Sequence, residues 1–143
     1  MMELGTLGVW FGDVHTARDW ELEWSSFSVD SPEVQTKYIT VPGRKTKIDM
    51  TEKQYGHITY DNTKLTFGFW KTVHQKDYED FRHEILAIHG QRLQVITDLD
   101  LNHYWVGRVS VSIAQTSYSM AEVTIAVDAE PYQYDILTDE ERL

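Results

Sequence analysis

The sequence predicts a mainly β protein, a β-sandwich or split barrel with one flanking α-helix near residues 75–89. Three observations carry that prediction. Most apolar residues alternate with polar ones, as along a strand with one buried face. One stretch has the 3.6-residue period of an amphipathic helix. The aromatic share is 13%, with five Trp and eight Tyr, and aromatic residues favour strands and interfaces.

In chain order, "WELEW" sets Trp20, Leu22 and Trp24 against Glu21 and Glu23, a half-buried strand with an acidic outer face. "YITV" is a shorter strand candidate, ended by the Pro42-Gly43 turn. Between "ITY" and "KLTF" the bridge "DNT" marks another turn, and "KLTFGFW" then holds Leu65, Phe67 and Phe69 in one phase. "HQKDYEDFRHEILAIHG" is the helix. Tyr78, Phe81, Ile85 and Ile88 share a face, Leu86 borders it, and Glu79, Asp80, His83 and Glu84 lie opposite. Asp77 suits the N-cap, the early acids suit the helix dipole, and Gly90 suits the C′ position. "RLQVI" is a short strand. "RVSVSIA" turns Val109, Val111 and Ile113 inward and Ser110 and Ser112 outward, and "EVTIAVDA" does the same with Val123, Ile125, Val127 and Ala129. These two runs, joined by "QTSYSM", should form an antiparallel hairpin. The final stretch, residues 135–143, is acidic and unpatterned, and reads as a loosely held tail.

The 143 residues suit one domain with a real core. Acidic residues outnumber basic ones by 23 to 13, for a formal net charge of -10. Tight nucleic-acid binding needs a basic face and is not expected. With no Cys, disulfides and thiol catalysis are excluded, and the composition fits synthesis in a reducing cytosol. The start lacks the basic n-region and cleavage site of a signal peptide. No apolar run reaches membrane-spanning length, so no membrane role is expected.

Catalytic patterns are missing. There is no G-x-S-x-G elbow, P-loop or H-E-x-x-H. His83 and His89 lie well over a quarter turn apart on the helix and cannot share a metal. All six His residues read as surface polar groups or helix-end caps. Glu21 and Glu23 are better explained as outward strand residues than as a glycosidase pair. Trp10, Trp105, Tyr118, Tyr132 and Tyr134 could form a sugar-stacking platform, although core or interface packing is the commoner fate of such residues. No enzyme activity, cofactor or metal is expected.

Five stretches, in this order, resemble the distal tail proteins of long-tailed phages that infect Gram-positive bacteria. "FGDVHTARDWELEW" resembles that family's opening turn and Asp-Trp-x-Leu strand, and "YITVPGRKTKIDMT" its Pro-Gly turn with basic residues. "YDNTKLTFGFW" is similar to its Tyr-x-Asn strand. "DLDLNHYWVGRVS" resembles its aromatic-x-Gly-Arg stretch, here Tyr104, Trp105, Gly107 and Arg108. "VTIAVDAEPYQY" resembles the Pro-Tyr strand that closes its N-terminal domain. The likeness covers roughly residues 8 to 134, and the order of the pieces is more specific than any one of them.

The resemblance implies an N-terminal-type domain over residues 1–134, followed by the acidic tail at 135–143. The galectin-like second domain of longer members is not expected. Where many members carry Asn-Arg, Asn62 is followed by Thr63, so any role of that Arg does not transfer. The implied fold is related to tail-tube proteins. The implied function is structural: a ring, usually of six copies, at the distal end of the tail tube. It would link tube protein to tail-tip or tape-measure proteins and let DNA pass without specific binding. The protein would reside in the virion tail after synthesis in the bacterial host cytoplasm. Two alternatives stand beside this reading, a tail-tube or tube-terminator protein and a small carbohydrate-binding β-sandwich.

Within a ring, the cluster Arg44, Lys45 and Lys47 gains a meaning. Copies of so acidic a chain repel one another unless opposite patches meet. A basic loop docking on a neighbour's acids, such as Glu21, Glu23 or residues 139–141, would offset that repulsion and set register. The same loop reads equally as a solvated hairpin turn. Contact with DNA in the lumen fits less well, because a conduit should not grip its cargo.

Overall fold

The computed structural model describes residues 7–32, 34, 38–39, 42–43, 48–49 and 60–142. Eleven strands and two α-helices follow one another along these residues. β1 (Val9–Phe11) and β2 (Val14–His15) lead into the single turn of α1 (Thr16–Asp19). β3 (Glu23–Val29), β4 (Tyr38–Ile39), β5 (Ile48–Asp49) and β6 (Thr63–Thr72) come next. A 3-10 turn (Gln75–Asp77) then opens α2 (Tyr78–Leu86). The chain closes with β7 (Arg92–Thr97), β8 (Asp100–Ser117), β9 (Met120–Ala129), β10 (Gln133–Asp135) and β11 (Glu141–Arg142). No helix among the described residues is long and apolar enough to cross a membrane.

The main sheet runs β2-β1-β7-β8-β9-β6-β3, with β10 and β11 branching from β8, and every pairing in it is antiparallel. Alternation decides which face each strand buries. Leu65, Phe67 and Phe69 on β6 are fully buried, as are Val109 on β8 and Val123, Ile125, Val127 and Ala129 on β9. The sheet then bends over that face. β1 and β6 are four places apart in the order, about 19 Å in a flat sheet. Yet the rings of Phe11 and Phe67 meet edge to face with centroids 5.5 Å apart. Phe27 on β3 reaches Trp105 on β8 in the same way, at 6.3 Å. One sheet therefore curls into an open barrel around one core, which is how the expected sandwich or split barrel is realised.

The helix closes this core as its period predicts. Phe81, Ile85 and Ile88 are buried in the same cluster as the strands. Gly90 takes φ +84, and its N–H donates to the Val109 carbonyl at 2.7 Å. Asp77 does sit at the N-cap position, but its side chain makes no capping bond. The 3-10 turn before it holds Asp77 near helical dihedrals, whereas capping geometry needs an extended residue there.

β8 hands its partners over along its length. Residues 100–108 pair with β7 and residues 107–117 with β9. Gly107 lies at the overlap, where a Cβ would come 2.6 Å from the Asp128 carbonyl oxygen and 2.7 Å from Ala129 Cα. Only glycine lets the two backbones approach so closely.

One expectation needs correction. The stretch 135–143, expected as a loose tail, holds most of the β10–β11 hairpin. Gln133 pairs with Arg142 and Tyr134 with Glu141, and Tyr134 also pairs with Tyr104 of β8. Its pairing partner is a distant strand, which local patterning does not reveal. His15 is a helix-end cap, one of the two readings of the histidines: it is the N-cap of α1. It is buried, its Nδ1 accepts the Arg18 N–H at 3.1 Å, and its Nε2 lies 2.9 Å from Asp98 Oδ2. With Nδ1 accepting, the neutral ring carries its proton on Nε2 and donates to Asp98. The same carboxylate oxygen accepts the Gly8 N–H at 2.9 Å. This bond set ties α1 to the β7–β8 turn. Residues 44–47, with Arg44, Lys45 and Lys47, lie outside the described residues, as does most of "ITY".

If cross-core aromatic contacts hold the curl, Phe67→Ala removes the side chain that meets Phe11, Trp24, Phe27 and Phe69. A loss of about 3–5 kcal/mol in urea unfolding is expected. A loss under about 1 kcal/mol, the scale of a conservative core swap, would show that the curl does not depend on it.

Candidate assembly surface

β8 runs beyond the core at its N-terminal end, and the β10–β11 hairpin docks on that extension. The docking is aromatic and polar. The Tyr104 and Tyr134 rings stack with centroids 5.3 Å apart. The Tyr104 hydroxyl donates to Asp139 Oδ1 at 2.8 Å, and the Tyr134 hydroxyl donates to Glu130 Oε2 at 3.2 Å. The hydrogen bond to Asp139 raises the Tyr104 pKa above the usual phenol value. Tyr134 is raised chiefly by burial, then by the Glu130 charge.

The turn of the hairpin is set by Asp135. Its Oδ1 accepts the Leu137 N–H at 2.9 Å and the Thr138 N–H at 3.3 Å. Those donors, Leu137 first, hold its carboxyl below the ordinary carboxylate range. Asp139 completes the turn at φ 56, a left-handed conformation that Asp tolerates better than most residues. A turn so constrained by polar bonds leaves its apolar residues facing outward.

That outward face is the candidate site. A groove of about 430 Å3 is lined by Leu101, Asn102, His103, Asp135, Ile136, Leu137 and Arg142. Leu101 is 58% exposed, Ile136 39% and Leu137 92%. Asp139, Glu140 and Glu141 are exposed on the same hairpin. Clustered exposed aliphatic side chains with a polar rim mark a contact surface better than scattered ones do. At the opposite end of β8, Tyr118 is 70% exposed at the tip of the β8–β9 hairpin. Among the described residues β3 is the terminal strand of the sheet, and Ser25, Ser26 and Ser28 are exposed along it.

The acids considered as partners for a basic loop fall in two places. Glu21 is 80% exposed at its side chain, with Lys71 Nζ 3.7 Å away, and Glu23 is exposed beside it in sequence. Asp139, Glu140 and Glu141 are exposed on the β10–β11 hairpin. The five aromatics of the possible sugar platform each take a different partner. Trp10 has the Arg18 guanidinium 4.6 Å over its ring, and Trp105 packs on Phe27. Tyr118 meets His74, Tyr132 meets Tyr60 and Tyr134 meets Tyr104. Among the described residues no group of three or more His, Cys, Asp or Glu could hold a metal ion. Sequence reasoning missed the groove, although "DIL" between "QY" and "TDEER" did signal two aliphatics set among acids.

No family model matches the sequence, and no curated protein matches it. Among solved structures, the fold is similar to the crystal structure of the Dit protein of phage SPP1. That protein is described as a paradigm of the hub adsorption apparatus in phages infecting Gram-positive bacteria. The TM-score is 0.68 at 7% identity, covering 90% of this chain and 52% of that one, so this chain spans about half of the SPP1 protein. A second similarity is to a chain in the tail of an empty GTA particle with C6 symmetry. Its TM-score is 0.41 at 10% identity, covering 89% of this chain and 94% of that one.

The docking bonds give the hairpin a pH window. Asp135 is depressed when folded, so its contribution is present above its unfolded value near ~4 and lost as pH falls through the folded value. Tyr104 and Tyr134 are raised, so theirs is present below ~10 and lost as pH rises through their folded values. NOEs between the Tyr104 and Tyr134 rings should weaken at both extremes before the core signals change. Contacts that persisted unchanged until global unfolding at each extreme would contradict this account.

Proposed function

We propose that this chain is a structural protein of a phage or prophage tail, which works by assembling with copies of itself rather than by catalysis. The observation that carries the reading is the likeness to the SPP1 Dit fold across 90% of the chain. The order of sequence motifs, from the Asp-Trp-x-Leu strand to the Pro-Tyr strand, supports it from an independent direction. On this reading the protein forms a ring, six copies being the family's usual number, at the distal end of the tail tube. It joins tail-tube protein to tail-tip or tape-measure proteins, and DNA crosses its lumen without specific binding. It therefore resides in the virion tail after synthesis in the host cytoplasm.

Arg44, Lys45 and Lys47 are proposed as part of the contact between subunits. A cyclic ring needs two different surfaces that meet head to tail, and a basic loop on an acidic chain is one half of such a pair.

Light scattering on a size-exclusion column, over a range of protein and salt concentrations, tests both statements. The expected result is a closed oligomer, formed by the chain alone or on addition of the tail-tube protein. Replacing Arg44, Lys45 and Lys47 together by Glu should shift assembly to higher protein concentration with the circular dichroism spectrum unchanged. Strictly monomeric protein that also ignores tail-tube protein would rule out the tail reading. A triple variant that assembles like wild type at low and high salt would remove the loop from the interface.

A further inference from the structure

We propose that the cavity beside Trp105, at the rim of the open barrel, binds the ring of a neutral saccharide. Such binding goes beyond the tail reading and is independent of whether the chain assembles.

The cavity lies where β3 and β9 end and β6 begins, since Val29 pairs with Leu65 and Thr63 with Ala129. Trp105 of β8 forms one side, and Phe27 meets its ring across the core. The mouth of a β-barrel is a common place for a small-molecule site. The volume is about 240 Å3, below the ~300–1,000 Å3 of pockets that enclose drug-sized ligands. It suits a single sugar ring.

The lining mixes apolar surfaces with hydrogen-bonding groups that the chain leaves unused. Trp105, Pro32 and Pro131 supply the apolar surfaces. Asp30, Ser31 and Gln133 supply a carboxylate, a hydroxyl and an amide. None of these three side chains, nor the Trp105 indole N–H, makes a hydrogen bond among the described residues. The backbone that carries them is nevertheless fixed. The Asp30 N–H donates to the Lys64 carbonyl at 3.0 Å, and the Asp30 carbonyl accepts the Thr63 hydroxyl. The Glu130 N–H, next to Pro131, donates to the Val106 carbonyl at 2.9 Å, and Gln133 pairs with Arg142. Unused polar groups on a fixed frame cost little ordering entropy to engage.

The chemistry of the lining selects the ligand. A pyranose has a face of C–H bonds that packs on the electron-rich face of an indole. Of the five aromatics that suggest sugar stacking in the sequence, Trp105 is the one set in this lining. The sugar's hydroxyls need acceptors and donors around the ring, which a carboxylate and a primary amide provide. The lining holds one carboxylate and no Lys, Arg or His, so a phosphate or an acidic sugar would be repelled. A purely apolar ligand would cover Asp30 and Gln133 without satisfying them. A neutral sugar meets both demands.

Titrating isotope-labelled protein with methyl glucoside, methyl galactoside and N-acetylglucosamine, followed by NMR, tests this. At least one of them should move the Trp105 indole and Gln133 amide signals saturably, with a Kd on the order of millimolar. Asp30→Asn and Gln133→Ala should each weaken that binding by about tenfold, the scale of one hydrogen bond. Asp30 is exposed and Gln133 half-buried, so both variants keep the core intact, which unchanged core signals would verify. Silence of both reporter signals for all three sugars, at the highest soluble concentration, would overturn the proposal. Shifts that both variants leave unaltered would overturn it too, because the sugar would then sit elsewhere. A sugar phosphate that bound more tightly than its neutral parent would refute the assigned ligand class. Glycerol reproducing the same shifts at the same concentrations would reduce the site to an unspecific polyol contact and refute it as well.

Discussion

Burial of one continuous apolar face by a single sheet bending over itself is the constraint on which the rest of the structure depends. Strands of alternating pattern can hide one face only against something else, and one helix of nine residues cannot cover a sheet of this width. The sheet supplies its own cover. Phe11 on β1 reaches Phe67 on β6, and Phe27 on β3 reaches Trp105 on β8. Large aromatics span the gap that aliphatic residues would leave, which gives the high aromatic content a structural purpose. The helix then needs only two buried residues, Phe81 and Ile85, with Ile88 in the turn after it, to close what the curl leaves open.

The same constraint explains where the exposed surface lies. β8 has 18 residues, about 60 Å if fully extended, far longer than the core requires. Its central residues Val109 and Val111 are buried, whereas Leu101 and the residues after Ile113 are exposed. The excess at the N-terminal end is where β10 and β11 attach. Their turn is held by polar bonds from Asp135 and Asp139, not by burial, so Ile136 and Leu137 stay outside. An apolar groove therefore sits on a rigid strand whose position is fixed by the core.

Charge divides the surface further. Arg82 on α2 and Arg92 on β7 pair with their own chain's acids, which leaves an acidic exterior. Acidity of this kind makes copies of the chain repel one another except where opposite charges meet. The basic cluster at residues 44–47 and the acids of residues 135–141 carry opposite signs at two separate places in the sequence.

Alternation alone was enough to read the strands around Phe67, Val109 and Ile125, because burial on one face repeats every second residue whatever the partner. The helical face of Phe81, Ile85 and Ile88 was legible for the same reason, at its own period, and Gly90 marked its end. The basic cluster was visible as composition. Pairings between distant residues were not legible, since they leave no local signature. His15 finds Asp98, Tyr134 finds Tyr104, and the stretch after Pro131 becomes a hairpin rather than a tail because β8 offers it an edge. Nor could sequence show that Leu101, Ile136 and Leu137 share one groove. Local order follows from each residue's own preference and its near neighbours, whereas the candidate surface exists only where the curl of the sheet brings separate segments together.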